Sequence, residues 1–246
     1  MVIRRPALWA VHPCFSNNVR ITGNDILTTH GGQDGIDVDS SWNVYIAQNS
    51  ISSGDDNVAM KCRIDQQRRN VNISTQNVLV ENNLILQGHG LSIGSDMSAG
   101  VRGTIFRNNV MNGTQYAVRF KSQSGRGGLV ENILYENITS SVQTAIEITM
   151  NYHHRKVDPA NVASEQPYLR NLTILAMSLN VTNAWLSCLG GNTTLVEDVV
   201  FENSTIVGVG ASHQSCRKCS FASERARACA RKRERENERK RESERV

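Results

Sequence analysis

Four short segments concentrate ionisable side chains inside otherwise apolar surroundings. They are Gly31-Gly-Gln-Asp34, Gly54-Asp55-Asp56, Gly88-His89-Gly90 and Arg119-Phe120-Lys121. Asp55 follows Asp34 by 21 residues, His89 follows Asp55 by 34, and Arg119 follows His89 by 30. Three carboxylates drawn together repel one another, so at least one is expected to keep its proton above the usual range while the others stay ionised. One residue type would then supply both an acid and a base. Hydrolysis of a glycosidic bond needs that pair: a protonated carboxyl for the leaving oxygen and an ionised one to act as nucleophile or activate water. Arg119 and Lys121, at i and i+2, project from one strand together, and two fixed cations suit a sugar that bears a carboxylate. Taken singly, each motif has a plainer reading. Gly-Asp-Asp serves turns and calcium loops, a histidine between glycines serves a loop, and Arg-x-Lys is commonly a solvated strand face. Their combination at matched intervals carries the argument.

Those intervals require an element that brings equivalent positions into line. Units of Asn followed by alternating aliphatic residues recur as Asn18-Val-Arg-Ile21, Asn43-Val-Tyr-Ile46, Asn77-Val-Leu-Val80, Asn132-Ile-Leu-Tyr135 and Asn171-Leu-Thr-Ile174. They return every ~25–40 residues, the range in which a repeat signals stacked units. Period-2 alternation and β-branched residues make each a short strand, with Asn or Gly marking a tight turn. Sandwiches and barrels are also built of short strands, but they have no reason to repeat turn chemistry in register. The expectation is an all-β fold, a right-handed parallel β-helix, in which successive coils stack about 4.8 Å apart. Asp34, Asp55, His89 and Arg119 would then line one face on four neighbouring coils.

Adjacent residues in a regular strand point to opposite faces. Asp55 and Asp56 can serve one cleft only if Gly54 marks a bend or bulge, and a bend there is predicted.

With 246 residues, 39% hydrophobic and 5% aromatic, the chain is expected to form one domain with a core of small aliphatic side chains. No apolar run reaches the ~18 residues of a membrane span, so no membrane association is expected. The formal net charge of +4 resides in the last 26 residues, from Phe221 onward, which hold 10 Lys and Arg against 6 Asp and Glu. Of the totals of 27 and 23, 17 basic and 17 acidic residues remain ahead of it. The basic balance therefore argues for no nucleic-acid groove, and attraction of an acidic ligand must come from particular residues. A boundary is expected near Ser212, with a parallel β-helix over 1–212 and a low-complexity charged tail over 213–246 that has no apolar face to dock.

Six cysteines are too sparse for a disulfide scaffold. Seven Asn-x-Ser/Thr sequons, at Asn72, Asn112, Asn137, Asn171, Asn180, Asn192 and Asn203, permit a secreted protein, although Asn-rich repeats generate them by chance. Residues 1–11 make a poor signal peptide. Cys216, Cys219 and Cys229 near His213 resemble a zinc set only weakly, and no metal or other cofactor is expected.

From about Trp9 to Tyr152, more than half of the chain, the sequence resembles glycoside hydrolase family 28, the polygalacturonases and their relatives. Gly54-Asp55-Asp56 and Gly88-His89-Gly90 match two of its four signatures in full, and Asp34-Gly-Ile-Asp-Val-Asp-Ser-Ser41, Gly94-Ser-Asp-Met-Ser98 and Gly125-Arg-Gly-Gly128 agree with their flanks. The resemblance implies a pectin-lyase-like β-helix that hydrolyses α-1,4-galacturonosyl linkages with inversion, secreted and monomeric, acting on pectin or polygalacturonate. It implies Asp55 as general acid, Asp34 and Asp56 as the carboxylates that hold and deprotonate water, and His89 as support for the acid and substrate. Arg119, Lys121 and Tyr152 are implied as the galacturonate contacts. Two signatures depart from the pattern. Gly32-Gln33 stands where the family has Asn-Thr, and Phe120 replaces an Ile at a position expected to face inward. Family members usually have several coils ahead of the first signature, where this sequence has about one, which suggests an N-terminally shortened chain. The alternatives are a carbohydrate-binding β-helix without turnover and a calcium-dependent pectate lyase.

Overall fold

A computed structural model of the chain describes residues 1–63, 72–150, 152, 166–189, 195–208, 213–214 and 219–221. Those residues contain strands and no helix.

Each coil contributes to three faces. The first is an eight-stranded sheet of β2 (Asn17–Thr22), β5 (Trp42–Ala47), β8 (Thr75–Glu81), β11 (Val101–Arg107), β13 (Leu129–Glu136), β15 (Tyr168–Leu175), β17 (Leu195–Glu202) and β20 (Cys219–Phe221). The second stacks β1 (Val2–Arg4), β3 (Asp25–Leu27), β6 (Ser50–Ser52), β9 (Leu84–Ile85) and the start of β12 (Val110–Lys121). The third stacks β4 (Ile36–Asp39), β7 (Val58–Lys61), β10 (Leu91–Gly94) and the end of β12. From β12 onward the two merge, because β14 (Thr139–Thr149) and β16 (Ser178–Leu189) run through both. β18 (Thr205–Gly208) and β19 (His213–Gln214) pair with the start and end of β16. The pairings are parallel between successive coils, which makes the chain a right-handed parallel β-helix, the hand that parallel crossovers take. Strand pairing runs beyond Ser212 to Cys219–Phe221. The charged run from 222 and the Cys216 and Cys229 positions lie outside the described residues.

The recurring asparagines sit inside the first-face strands rather than ahead of them. Asn18, Asn43, Asn77, Asn132 and Asn171 fall at one register position, each with φ between 54° and 59°. Asn tolerates this left-handed conformation better than other side chains, and Gly103 fills the same position in the coil between Asn77 and Asn132. A second asparagine column, buried from Asn49 onward, fixes the next corner. Asn24 Nδ2 donates to Asn49 Oδ1 (2.9 Å), Asn49 Nδ2 to Asn83 Oδ1 (3.0 Å) and Asn83 Nδ2 to Asn109 Oδ1 (3.0 Å). Each of the three oxygens also accepts from the preceding coil's backbone N–H. Buried amides paid with hydrogen bonds on both sides hold the coils in register.

Inside, like side chains stack on like. On the third face Val38, Met60, Ile93, Phe120 and Ile148 pair in register and point into the core, all at most 2% exposed. Phe120 faces inward, as expected. Its neighbours Arg119 and Lys121 must therefore face outward together, because alternation along a strand leaves no other choice.

Candidate active site

The outward side of the third face forms two polar columns. In one, Asp37, Ala59, Ser92, Arg119 and Glu147 are register partners on five successive coils. In the other, Asp39 pairs with Lys61, and Gly94 with Lys121. The remaining residues of the site come from the bends that enter these strands: Asp34 before β4, Asp55 and Asp56 before β7, and His89 before β10.

The bend at Gly54 is present. A Cβ there would lie 2.0 Å from the carbonyl oxygen of His30, so no side chain fits. Gly54 N donates to Thr28 Oγ1 (2.9 Å), and Ser53 Oγ donates to the Asp55 carbonyl (2.7 Å). This turn lets both adjacent carboxylates leave the core side. Asp55, a quarter exposed, has Oδ1 2.7 Å from His89 Nδ1, while its Oδ2 accepts from Gly32 N at 3.2 Å. Asp56 is fully buried, yet among polar partners rather than in the aliphatic core. Its Oδ2 accepts from Lys121 Nζ (2.6 Å), and its Oδ1 accepts from Ser92 Oγ (2.8 Å) and Arg119 Nη1 (3.2 Å).

Asp34 is buried as well. Lys61 Nζ donates to its Oδ2 at 2.8 Å, and Asp56 N donates to its Oδ1 at 3.3 Å. Arg119 is held on its far side by Glu147, with Nε donating to Oε2 at 2.7 Å. The Tyr116 ring lies 4.5 Å beneath the Arg119 guanidinium carbon and edge-on to His89 at 6.2 Å. Tyr152 completes the patch, its ring centroid 5.2 Å from Lys121 Nζ and 5.7 Å from the Arg119 guanidinium carbon. The structure thus brings together Asp34, Asp55, Asp56, His89, Arg119, Lys121 and Tyr152.

The charges order the acids. Burial works against ionisation of Asp56, but Lys121 and Arg119 outweigh it and hold its carboxyl well below the usual range. Burial also opposes ionisation of Asp55, where the His89 hydrogen bond and the attraction of Lys121 prevail over repulsion from Asp56 and leave the group lowered. Asp34 goes the other way, raised by burial and by repulsion from Asp56 despite Lys61. Of the three carboxyls Asp34, Asp55 and Asp56, the raised one is Asp34, which has no histidine partner and is more deeply buried than Asp55.

The His89 imidazole nitrogen has two neighbours of opposite character, Asp55 Oδ1 and, at 3.0 Å, Arg119 Nη1. Nδ1 is therefore placed either to donate to Asp55 or to accept from Arg119.

Sequence reasoning assigned no role to Lys61, Tyr116, Glu147 or Ser92. Lys61 ends Val58-Ala-Met-Lys61 as Lys121 ends Val118-Arg-Phe-Lys121, and that parallel was the available signal. Tyr116 occupies the position two residues before Val118 that Asp34, Asp56 and His89 occupy before Ile36, Val58 and Leu91. Gln33, which stands in the altered signature, turns away from the site: its Oε1 accepts from Thr29 N and His30 N, and its Nε2 donates to the Pro6 carbonyl.

Asp55, Asp56 and His89 lie close enough to surround a cation. A divalent ion among them would meet Lys121 and Arg119 at the same oxygens, so the group fits ion pairing better. The same holds for His12, Cys14 and Asp39, where Arg63 Nη2 donates to the Cys14 sulfur at 3.7 Å.

A parallel β-helix with carboxylates, a histidine and paired cations on one outward face defines the class. The chain belongs to glycosyl hydrolases family 28, whose model matches residues 11–229. An endo-polygalacturonase of Pectobacterium carotovorum subsp. carotovorum is 34% identical over 135 residues, 55% of this chain and 32% of that protein. A probable endopolygalacturonase D of Neosartorya fischeri is 30% identical over 232 residues, 85% of this chain and 45% of that protein. Among solved structures, a hyperthermoactive exopolygalacturonase from Thermotoga maritima superposes with a TM-score of 0.77 at 29% identity, covering 85% of this chain and 47% of its own. The chain spans about a third to a half of the length of these relatives.

Proposed function

We propose that the chain carries the catalytic coils of a secreted, monomeric hydrolase that cleaves α-1,4-galacturonosyl linkages of pectin or polygalacturonate with inversion. The observation that carries this reading is the 2.7 Å contact between Asp55 and His89 beside the Arg119–Lys121 pair. Asp55 is the half-buried carboxyl that a leaving oxygen can reach. When a galacturonate carboxylate settles against Arg119, Lys121 and Tyr152, it adds negative charge beside Asp55 and favours the protonated form of that carboxyl. Asp55 then protonates the leaving oxygen, and Asp34 with Asp56 takes the proton of the attacking water. The names of the relatives, polygalacturonases of both endo and exo action, support the substrate class.

A binding β-helix without turnover is the second reading. One observation favours it: Asp34 and Asp56 are buried, with their oxygens already taken by Lys61, Lys121 and Arg119. Reducing-end release from polygalacturonate, followed with and without chelator and with ultraviolet absorbance of the product, separates the readings. Hydrolysis is expected to give new reducing ends, no unsaturated product and no loss to chelation. Tight oligogalacturonide binding with no new ends would establish the second reading, and chelator-sensitive unsaturated product would establish a lyase.

A further inference from the structure

Behind Asp34 lies a second carboxylate with no place in the mechanism above. Asp37 is fully buried at the head of the outward column, and both of its oxygens lack a hydrogen-bond donor other than a shared ammonium. That ammonium is Lys61 Nζ, 2.8 Å from Asp34 Oδ2 and 3.4 Å from Asp37 Oδ2. The indole of Trp9 caps it from the other side, with its ring centroid 3.9 Å away. Lys61 therefore has two acidic partners and an aromatic lid.

Charge counting fixes the state of this trio. Asp56, the nearest further acid, is already matched by Arg119 and Lys121. His12, on the segment that runs beside β4, pairs with Asp39 instead. If Asp34 and Asp37 were both ionised, two negative charges would share one cation in a volume closed to water, an arrangement that buried groups avoid by keeping a proton. The two carboxyls meet the same ammonium, and burial, set against the pull of Lys61, pushes Asp37 well above the ordinary carboxylate range. Asp37 is the more buried of the two and is the one that keeps the proton.

We infer that Lys61 and Asp37 are positioning residues for Asp34: Lys61 fixes one of its oxygens, and a neutral Asp37 keeps the pair at a single negative charge. This rests on the reading of Asp34 as a water-holding base. Lys61 keeps Asp34 ionisable in a buried place, and the lateral grip leaves its remaining lone pairs aimed at the bend that holds Asp55 and Asp56.

The test is the pH–rate profile of the full chain on polygalacturonate with Lys61→Met and Asp37→Asn, beside Asp34→Asn. Without the cation, Asp34 ionises only at higher pH, so Lys61→Met is expected to move the acid limb of kcat/KM upward by about one unit or more. It is also expected to lower kcat about 10²-fold through loss of orientation. Asp37→Asn keeps a neutral donor of the same shape, and its acid limb is expected to stay in place. A Lys61→Met enzyme that is merely slower, with its limb unmoved, would overturn the role given to Lys61. Should that variant fail to fold, Asp37→Asn decides alone: a limb that moves to lower pH means Asp37 is charged in the parent and the inference is wrong. An Asp34→Asn enzyme with parental rate would instead remove the base assignment on which the inference stands.

Discussion

Asp55 Oδ1 and His89 Nδ1 stand 2.7 Å apart, on successive coils, and Asp55 is more exposed than Asp34, Asp56 or Glu147. His89 N also donates to the Asp55 carbonyl at 2.8 Å, so backbone and side chain lock the two residues together. The contact costs nothing to form during turnover, because the stacking of coils has already made it.

Asp56 sets the acid stability of the fold. Its folded pKa is depressed, so its ion pairs contribute fully above the unfolded carboxylate range near ~3.9 and are lost as pH falls from there toward the folded value. Asp56→Asn is expected to flatten this acid limb in a pH series of denaturant unfolding. At neutral pH it should destabilise by about 3–5 kcal/mol, since Lys121 would be buried without its counter-charge and Arg119 would keep only Glu147. An unchanged acid limb would show that the stability change with pH lies elsewhere.

Glu147 steadies Arg119 from the coil beyond, through a 2.7 Å charge-assisted bond. If Arg119 contacts the substrate carboxylate in ground and transition states alike, loosening it removes uniform binding. Glu147→Gln is expected to raise KM several-fold with kcat nearly constant, read from initial rates on polygalacturonate. A fall in kcat with KM unchanged would place Arg119 at the reacting bond instead.

The buried asparagine column makes a separate claim about stability. Asn83 Oδ1 accepts from Asn49, its Nδ2 donates to Asn109 Oδ1 and to backbone carbonyls, and all three residues are at most 2% exposed. Asn83→Ala would strand partners on two coils, each at a cost of about 1–3 kcal/mol. Chemical denaturation should therefore show a loss of roughly 2–4 kcal/mol, while Asn43→Ala on the exposed ladder should cost markedly less. Equal losses would mean that burial does not govern the column.

The Asn-led repeats made the solenoid legible, since a left-handed residue once per coil is the same turn solved repeatedly. The outward pairing of Arg119 with Lys121 and the inward Phe120 follow from alternation alone, and the bend at Gly54 from the need to turn two adjacent acids one way. What spacing does not carry is which acid meets which cation. Asp34 is 27 residues from Lys61 and Asp56 is 65 from Lys121. Those partners are set by coil lengths that vary along the chain, so Lys61, Tyr116 and Glu147 stood unread, and the raised acid turned out to be Asp34. The column itself was visible; its neighbours across coils were not.

On the proposed reading Asp55 delivers the proton to the leaving oxygen. Comparing kcat of Asp55→Asn with the parent on polygalacturonate, alongside oligogalacturonide binding by both, tests it most directly. A loss of about 10²–10⁴-fold in kcat with binding retained is expected, because an amide keeps the shape and cannot supply an acidic proton. An Asp55→Asn enzyme that releases reducing ends at the parental rate would contradict it.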